Sequence, residues 1–293
     1  MFQWMKIAVV SSAALISGAC AAQAATDVLA SKEYKVLLTP SNFNAQPLTA
    51  ANQFLSELKT NLKNAGSDRT IDSTFSDDEV RAARFYDSPG TCRLKNAGYI
   101  LRTRRDTAGG EVTLKFRASS PSIAAATDVS ASVSDAKTKL EDDIMPPFNE
   151  TFSHSTTESL SATKNLNILD DVTDLFPGTR SLNLPKKDML SLVGNLDITE
   201  RICAGPSSDL GSSDADFSLT LWFVGNALTP AVAEMSFKVK ADNGDFTGKV
   251  TDRSKLLFDT MRAMNLWVSM STITKTEWVY QYQPSFCTGV QTL

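Results

Sequence analysis

The chain has 293 residues, 42% of them hydrophobic, enough for one large globular domain or two small ones. Lysine and arginine total 29 against 33 acidic residues, a formal charge of −4. That balance argues against a general nucleic-acid binder, so any cationic site must be concentrated locally. The only histidine, His154, lies in a Ser/Thr-rich stretch that reads as an exposed loop. Histidine-based triads and zinc-hydrolase clusters are therefore set aside. No glycine-rich phosphate loop of the P-loop or dinucleotide-binding type is present.

In chain order, residues 1–24 read as a secretory signal. Lys6 supplies the positive charge, Ile7 to Ile16 the apolar run, and Ala22-Gln23-Ala24 the small-residue cleavage site. The run is far shorter than the roughly 20 residues a spanning helix needs, so no stable membrane insertion is expected after cleavage. The expected location is exported, periplasmic or secreted. A lipoprotein anchored at Cys20 is less favoured, because Ser17 stands where an aliphatic residue belongs. Residues 25–293 read as one domain with polar insertions near 118–138 and 146–187. After cleavage Cys92, Cys203 and Cys287 remain, allowing one disulfide of unassigned pairing in an oxidising compartment.

Glu33 to Leu38 suits a strand. Thr49 looks like an N-cap for a helix whose Phe54, Leu55, Leu58 and Leu62 share a face. Asp77 to Arg84 reads as a short second helix. Gly98 to Arg105 and Glu111 to Arg117 alternate on either side of a turn, the pattern of a hairpin. Further strands are expected at Lys139–Ile144, Leu196–Cys203, Phe217–Val224, Val232–Lys240 and Thr274–Tyr282. A helix capped by Thr251 or Asp252 is expected before the last of these, with Leu257, Met261 and Met264 along one face.

Alternation sends the charges of each strand to a common side. Glu33 shares a face with Lys35, Arg102 with Arg104, Lys115 with Arg117, Lys139 with Glu141 and Asp143, and Glu234 with Lys238 and Lys240. One such strand normally means a solvated face. Several in one chain would line the inside of a closed sheet and favour a multiply charged anion there. Arginine suits forked contacts to phosphate oxygens, and carboxylates among the cations could hold Mg²⁺ or Mn²⁺.

Phe85-Tyr86-Asp87-Ser88-Pro89, followed by Leu94 and Gly98-Tyr99-Ile100-Leu101-Arg102-Thr103-Arg104, resembles the signature of the CYTH family, the triphosphate tunnel metalloenzymes. Thr113-Leu114-Lys115 and Lys139-x-Glu141-x-Asp143 resemble its next two motifs. The resemblance implies an α+β protein, mainly antiparallel β. Its core would be an eight-stranded closed β-tunnel, open at both ends, with flanking helices. Lys35, Arg102, Arg104, Lys115, Lys139 and Arg201 would hold the phosphates of a polyphosphate or triphosphate-type small molecule. Glu141 and Asp143 would be catalytic carboxylates, and Glu33 and Glu234 would bind Mg or Mn. Two departures stand out: Ser31-x-Glu33-x-Lys35 and Glu234-x-Ser236 each carry serine where the family has glutamate. Serine is no anionic ligand, so the metal side of the site is thinned while the cationic side is nearly complete. Two functions follow as expectations: a metal-dependent triphosphatase, or a non-catalytic binder of the same anions.

Overall fold

The computed structural model describes residues 28–44, 46–240, 244–271 and 273–289; the leader expected over Met1–Ala24 lies outside them. Among the described residues ten strands form one sheet: β1 (Leu29–Leu38), β2 (Ser76–Asp87), β3 (Tyr99–Arg105), β4 (Gly110–Ala118), β5 (Lys137–Met145), β6 (Asn149–Ser159), β7 (Ser191–Leu192), β8 (Ile198–Asp209), β9 (Asp214–Val224) and β10 (Val232–Lys240). Seven α-helices accompany them among the described residues: α1 (Pro47–Asn64), α2 (Arg93–Asn96), α3 (Pro121–Ala126), α4 (Leu169–Leu175), α5 (Gly248–Arg262), α6 (Lys275–Tyr282) and α7 (Ser285–Thr288).

Nine strands close into a ring. The order runs β3-β4-β6-β5-β1-β10-β9-β8-β2, and β2 pairs back onto β3; β7 adds only two residues to β2. Every ladder of the ring is antiparallel except β1–β5. The closed tunnel with flanking helices is therefore present, with nine strands in place of the expected eight.

The difference has local causes. Ser76–Asp87 was expected to be helical over Asp77–Arg84, because Glu, Arg and Ala are good helix formers. Pairing to β3 and β8 overrides that preference. Asn149–Ser159 fell within an expected polar insertion, because Ser and Thr stand on both of its faces. It is nevertheless an interior strand between β4 and β5, where Thr113 and Thr157 hydroxyls meet at 2.9 Å. His154 is accordingly not an exposed loop residue: it is 4% exposed, and its Nδ1 donates to the carbonyls of Ala124 and Thr127. Thr274–Tyr282, expected as a strand, is the helix α6. Thr274 Oγ1 accepts from the Glu277 amide while the Glu277 carboxylate accepts from the Thr274 amide. That reciprocal cap is written in the sequence as Thr-x-x-Glu and stabilises the first turn by about 1 kcal/mol.

The outer faces pack in two layers. Helix α1 starts at Pro47, two residues before Thr49, since proline's fixed φ fits the first turn. Its Phe54, Leu55, Leu58 and Leu62 join Leu257, Phe258 and Met261 of α5 against the outer face of β1, β9 and β10. Helix α5 is capped by Thr247, ahead of the expected Thr251 or Asp252. Leu169 and Val172 of α4 cover Leu101, Val112 and Leu114 of β3 and β4.

A third apolar cluster lies elsewhere, at one end of the ring. Inward positions at that end are Leu37, Phe85, Ile100, Met145, Ile198, Trp222 and Val232, from seven different strands, and Val279 and Tyr280 of α6 pack on them. The C-terminal segment is fixed there covalently, because Cys92, just before α2, forms a disulfide with Cys287 of α7. Cys203 is buried in the outer core and takes no part in it. Asp87 locks the same corner. Its buried carboxylate accepts from the amides of Ser88, Leu94 and Lys95 and from Tyr280 Oη at 2.9 Å.

Mass spectrometry of the non-reduced protein is expected to recover a peptide pair joined through Cys92 and Cys287, which lie 195 residues apart. Cys92→Ser with Cys287→Ser should lower unfolding stability by about 2–4 kcal/mol, as for other native bridges closing long loops. A bridge involving Cys203 would contradict the assignment.

Candidate functional site

Side chains alternate across each strand, so the inward residues follow from the registers. A cavity of about 340 Å³ fills the ring. Eight cations line it: Lys35, Arg102, Arg104, Lys115, Arg117, Lys139, Lys238 and Lys275. Four carboxylates face them: Glu33, Glu141, Asp143 and Glu234. Nine of the ten residues predicted from sequence thus meet in one lumen, and Arg117 and Lys238 join them as alternation required.

Arg201 does not. Its guanidinium sits on the outer surface and pairs with Asp77 at 2.5 Å. Its neighbour Glu200 is the inward residue of β8, fully buried, and alternation by two sends Arg201 the other way. Lys240 likewise leaves the lumen for an exposed pair with Asp216 at 3.3 Å. Sequence reading missed Glu200 and its partner Arg81, which lies on the strand misread as helix. Glu200 accepts hydrogen bonds from Arg81 at 2.6 Å, Arg104 Nη2 at 3.3 Å and Trp222 Nε1 at 2.9 Å. The one available signal was Glu200 sharing a strand face with Ile198 and Ile202.

Each lining carboxylate is engaged by ammonium or guanidinium groups. Asp143 meets Lys35 at 2.6 Å, Arg117 at 3.6 Å and Lys115 at 3.8 Å. Glu141 meets Lys238 at 2.8 Å and Lys139 at 2.9 Å, and accepts from Ser31 Oγ at 3.0 Å. Glu33 meets Lys35 at 3.0 Å and Lys238 at 3.8 Å, and Glu234 meets Lys275 of α6 at 2.8 Å. Burial alone would raise the pKa values of Glu33, Glu141, Asp143 and Glu200. The neighbouring cations outweigh it and hold all four below the usual carboxylate range.

Two cations lack that compensation. Among the described residues Arg102 makes no ion pair or hydrogen bond, and its Nε is buried. Burial and the adjacent Arg104, partly opposed by Glu200, push its pKa down to about 9. Lys115 has only the long contact to Asp143. Burial, with Arg117 and Lys35 adding to it, pushes its pKa down to about 7. With all groups ionised the lining carries four more positive than negative charges.

A divalent cation needs several oxygen ligands converging on one point. No group of three or more His, Cys, Asp or Glu side chains that could hold a metal ion occurs among the described residues. Glu33 and Glu234, expected as metal ligands, each face a lysine. Ser31 and Ser236 stand beside them on the same inward faces of β1 and β10, where glutamates would have completed a cluster. The residues present do not fit a resident divalent metal.

The lumen opens at the end opposite α6. A second space of about 350 Å³ there shares Arg102, Arg104, Lys115 and Lys139 with the first and adds Arg81, Glu111 and Lys137. Elsewhere, no helix among the described residues is long and apolar enough to cross a membrane.

No family model and no curated protein matches the chain. Among solved structures it is similar to an adenylyl cyclase candidate from Hippeastrum described as having a dominant triphosphatase activity. Identity is 13%, covering 85% of this chain and 94% of that one, with a TM-score of 0.45. An adenylate cyclase candidate from Bacillus halodurans follows at 12% identity, 86% and 98% coverage and TM-score 0.41. A Pyrococcus horikoshii OT3 protein stands at 11%, 85% and 98%, and 0.33.

Lys115 yields a stability test. Its folded pKa lies below the ordinary 10.5, so the unfolded chain holds the proton more tightly. The cost of burying the charge is complete below about pH 7 and fades as pH rises towards about 10.5. Lys115→Met should therefore raise the melting temperature of the ligand-free protein by several degrees in mildly acidic buffer. The gain should shrink steadily in alkaline buffer. A scanning-fluorimetry series showing the same gain at both extremes would contradict the assignment.

Proposed function

We propose that this chain binds a short, multiply charged phosphate anion of the triphosphate class in its tunnel, without a resident divalent metal. The observation that carries this reading is the excess of basic over acidic groups on the lining, eight against four, with Arg102 and Lys115 left without close counter-ions. Unlike charges at 4 Å attract by about 4 kcal/mol at an effective dielectric near 20, so an anion there removes a standing repulsion. Orthophosphate can reach few of these groups together. A linear triphosphate carries a matching charge and spans several strands.

Binding is favoured over hydrolysis by the state of the carboxylates. A general base works best with a pKa near the operating pH. Glu141 and Asp143, the expected catalytic pair, are instead held low by ion pairing. Export forms part of the proposal, supported by the Cys92–Cys287 bridge, since such bonds persist in oxidising compartments.

Calorimetry in excess chelator should show tripolyphosphate binding more tightly than pyrophosphate, and pyrophosphate more tightly than orthophosphate. Arg102→Met should weaken tripolyphosphate about 10-fold or more, the loss of one charge-assisted contact. Arg201→Met should leave affinity unchanged. Ser31→Glu with Ser236→Glu should weaken chelator-treated binding and make it respond to Mg²⁺ or Mn²⁺. Wild-type binding that vanishes in chelator, together with metal-dependent hydrolysis, would return the chain to the triphosphatase reading.

A further inference from the structure

The inward positions change character along the tunnel. Towards one end they are charged or carry hydroxyls; at the other, seven strands turn apolar and α6 lies across them. The covering helix is secured in four ways. These are the Cys92–Cys287 bridge, the Tyr280–Asp87 hydrogen bond, the Lys275–Glu234 ion pair, and the packing of Val279 and Trp278 on the strand ends.

The remaining sector of that end, on β4 and β6, is lined by Arg117, Asn149 and Thr151, with Thr274, the N-cap of α6, and Lys275 and Thr276 of its first turn. Two cations reach this sector and both are already engaged: Arg117 is drawn to Asp143 at 3.6 Å, and Lys275, between the two threonines, is paired with Glu234 at 2.8 Å. An anionic chain leaving here would pass from a cation-lined lumen into a gap whose two cations are already paired, beside an apolar wall. The opposite mouth carries Arg81, Lys137 and Lys139 and receives it readily.

From this we infer that the tunnel is a one-ended socket: it takes the terminus of a linear polyphosphate-type anion and excludes internal segments of a long chain. The inference rests on the polyanion reading above and adds which part of the ligand is recognised. A threading tunnel would accept any stretch of the chain and could load many copies along it. A socket counts ends.

The test uses the intact, disulfide-bonded protein with two probes in chelator, tripolyphosphate and long-chain linear polyphosphate. Tripolyphosphate should bind one to one. The long chain should saturate at no more than two protein molecules, one for each end. Blocking both ends of the long chain as phosphoramidates should weaken its binding at least 10-fold, or about 1.4 kcal/mol. Three or more proteins per chain, or unchanged affinity after blocking, would overturn the socket while leaving tripolyphosphate binding and the polyanion reading intact. Failure of tripolyphosphate itself to bind would overturn that reading and the socket with it.

Discussion

Mutual repulsion among cations inside a closed sheet is the constraint around which the rest of this molecule is arranged. A ring of strands must direct alternate side chains inward, and here those positions hold lysine and arginine at a density that water cannot fully screen. The four lining carboxylates and the deeper Glu200 make this tolerable. Glu234 pairs with Lys275 of α6, and the others lie between cations from different strands, so β1, β4, β5 and β10 are joined through Asp143, Glu33 and Glu141, while β2, β3, β8 and β9 meet at Glu200. Buried ion pairs of this kind seldom stabilise a fold beyond what apolar packing would, but losing one partner is costly. The carboxylates thus act as spacers that keep the cations apart and pointing inward.

The same arrangement makes the lining carboxylates poor ligands for a divalent ion. A carboxylate saturated by ammonium groups offers few lone pairs to a divalent ion, and the serines at positions 31 and 236 remove the oxygens that would have tipped the balance. Lys275 is telling in this respect. It comes from α6, outside the ring, and places a fixed positive charge on Glu234 at 2.8 Å, where a metal ligand had been expected. The helix that covers one mouth therefore also supplies part of the site's electrostatics.

Much of this was legible in the sequence because strand alternation is strict. Once Arg102 and Arg104, Lys115 and Arg117, or Lys139, Glu141 and Asp143 were seen two residues apart, their sharing of a face followed. Their meeting in one lumen followed only if the sheet closed. Arg201 was misplaced by matching chain position without checking its register against Glu200. Strand β2 was hidden by helix-forming Glu, Ala and Arg, and β6 by hydroxyl residues that suit both a wet lumen and a loop. Helix α6 was masked by its apparent alternation, although its Thr-x-x-Glu cap was present. The pairing of Cys92 with Cys287 and the apolar closure of one mouth arise from contacts between distant segments, which local pattern does not encode.

The central claim is that the lumen holds more positive charge than it can balance, and Lys115 reports on it directly. Following its ε-methylene and ammonium signals by NMR against pH should give a midpoint of about 7 in the ligand-free protein. Saturating tripolyphosphate should move that midpoint upward by at least about one unit, a bound anion favouring the charged form. A ligand-free midpoint near the ordinary 10.5, unmoved by tripolyphosphate, would contradict the account.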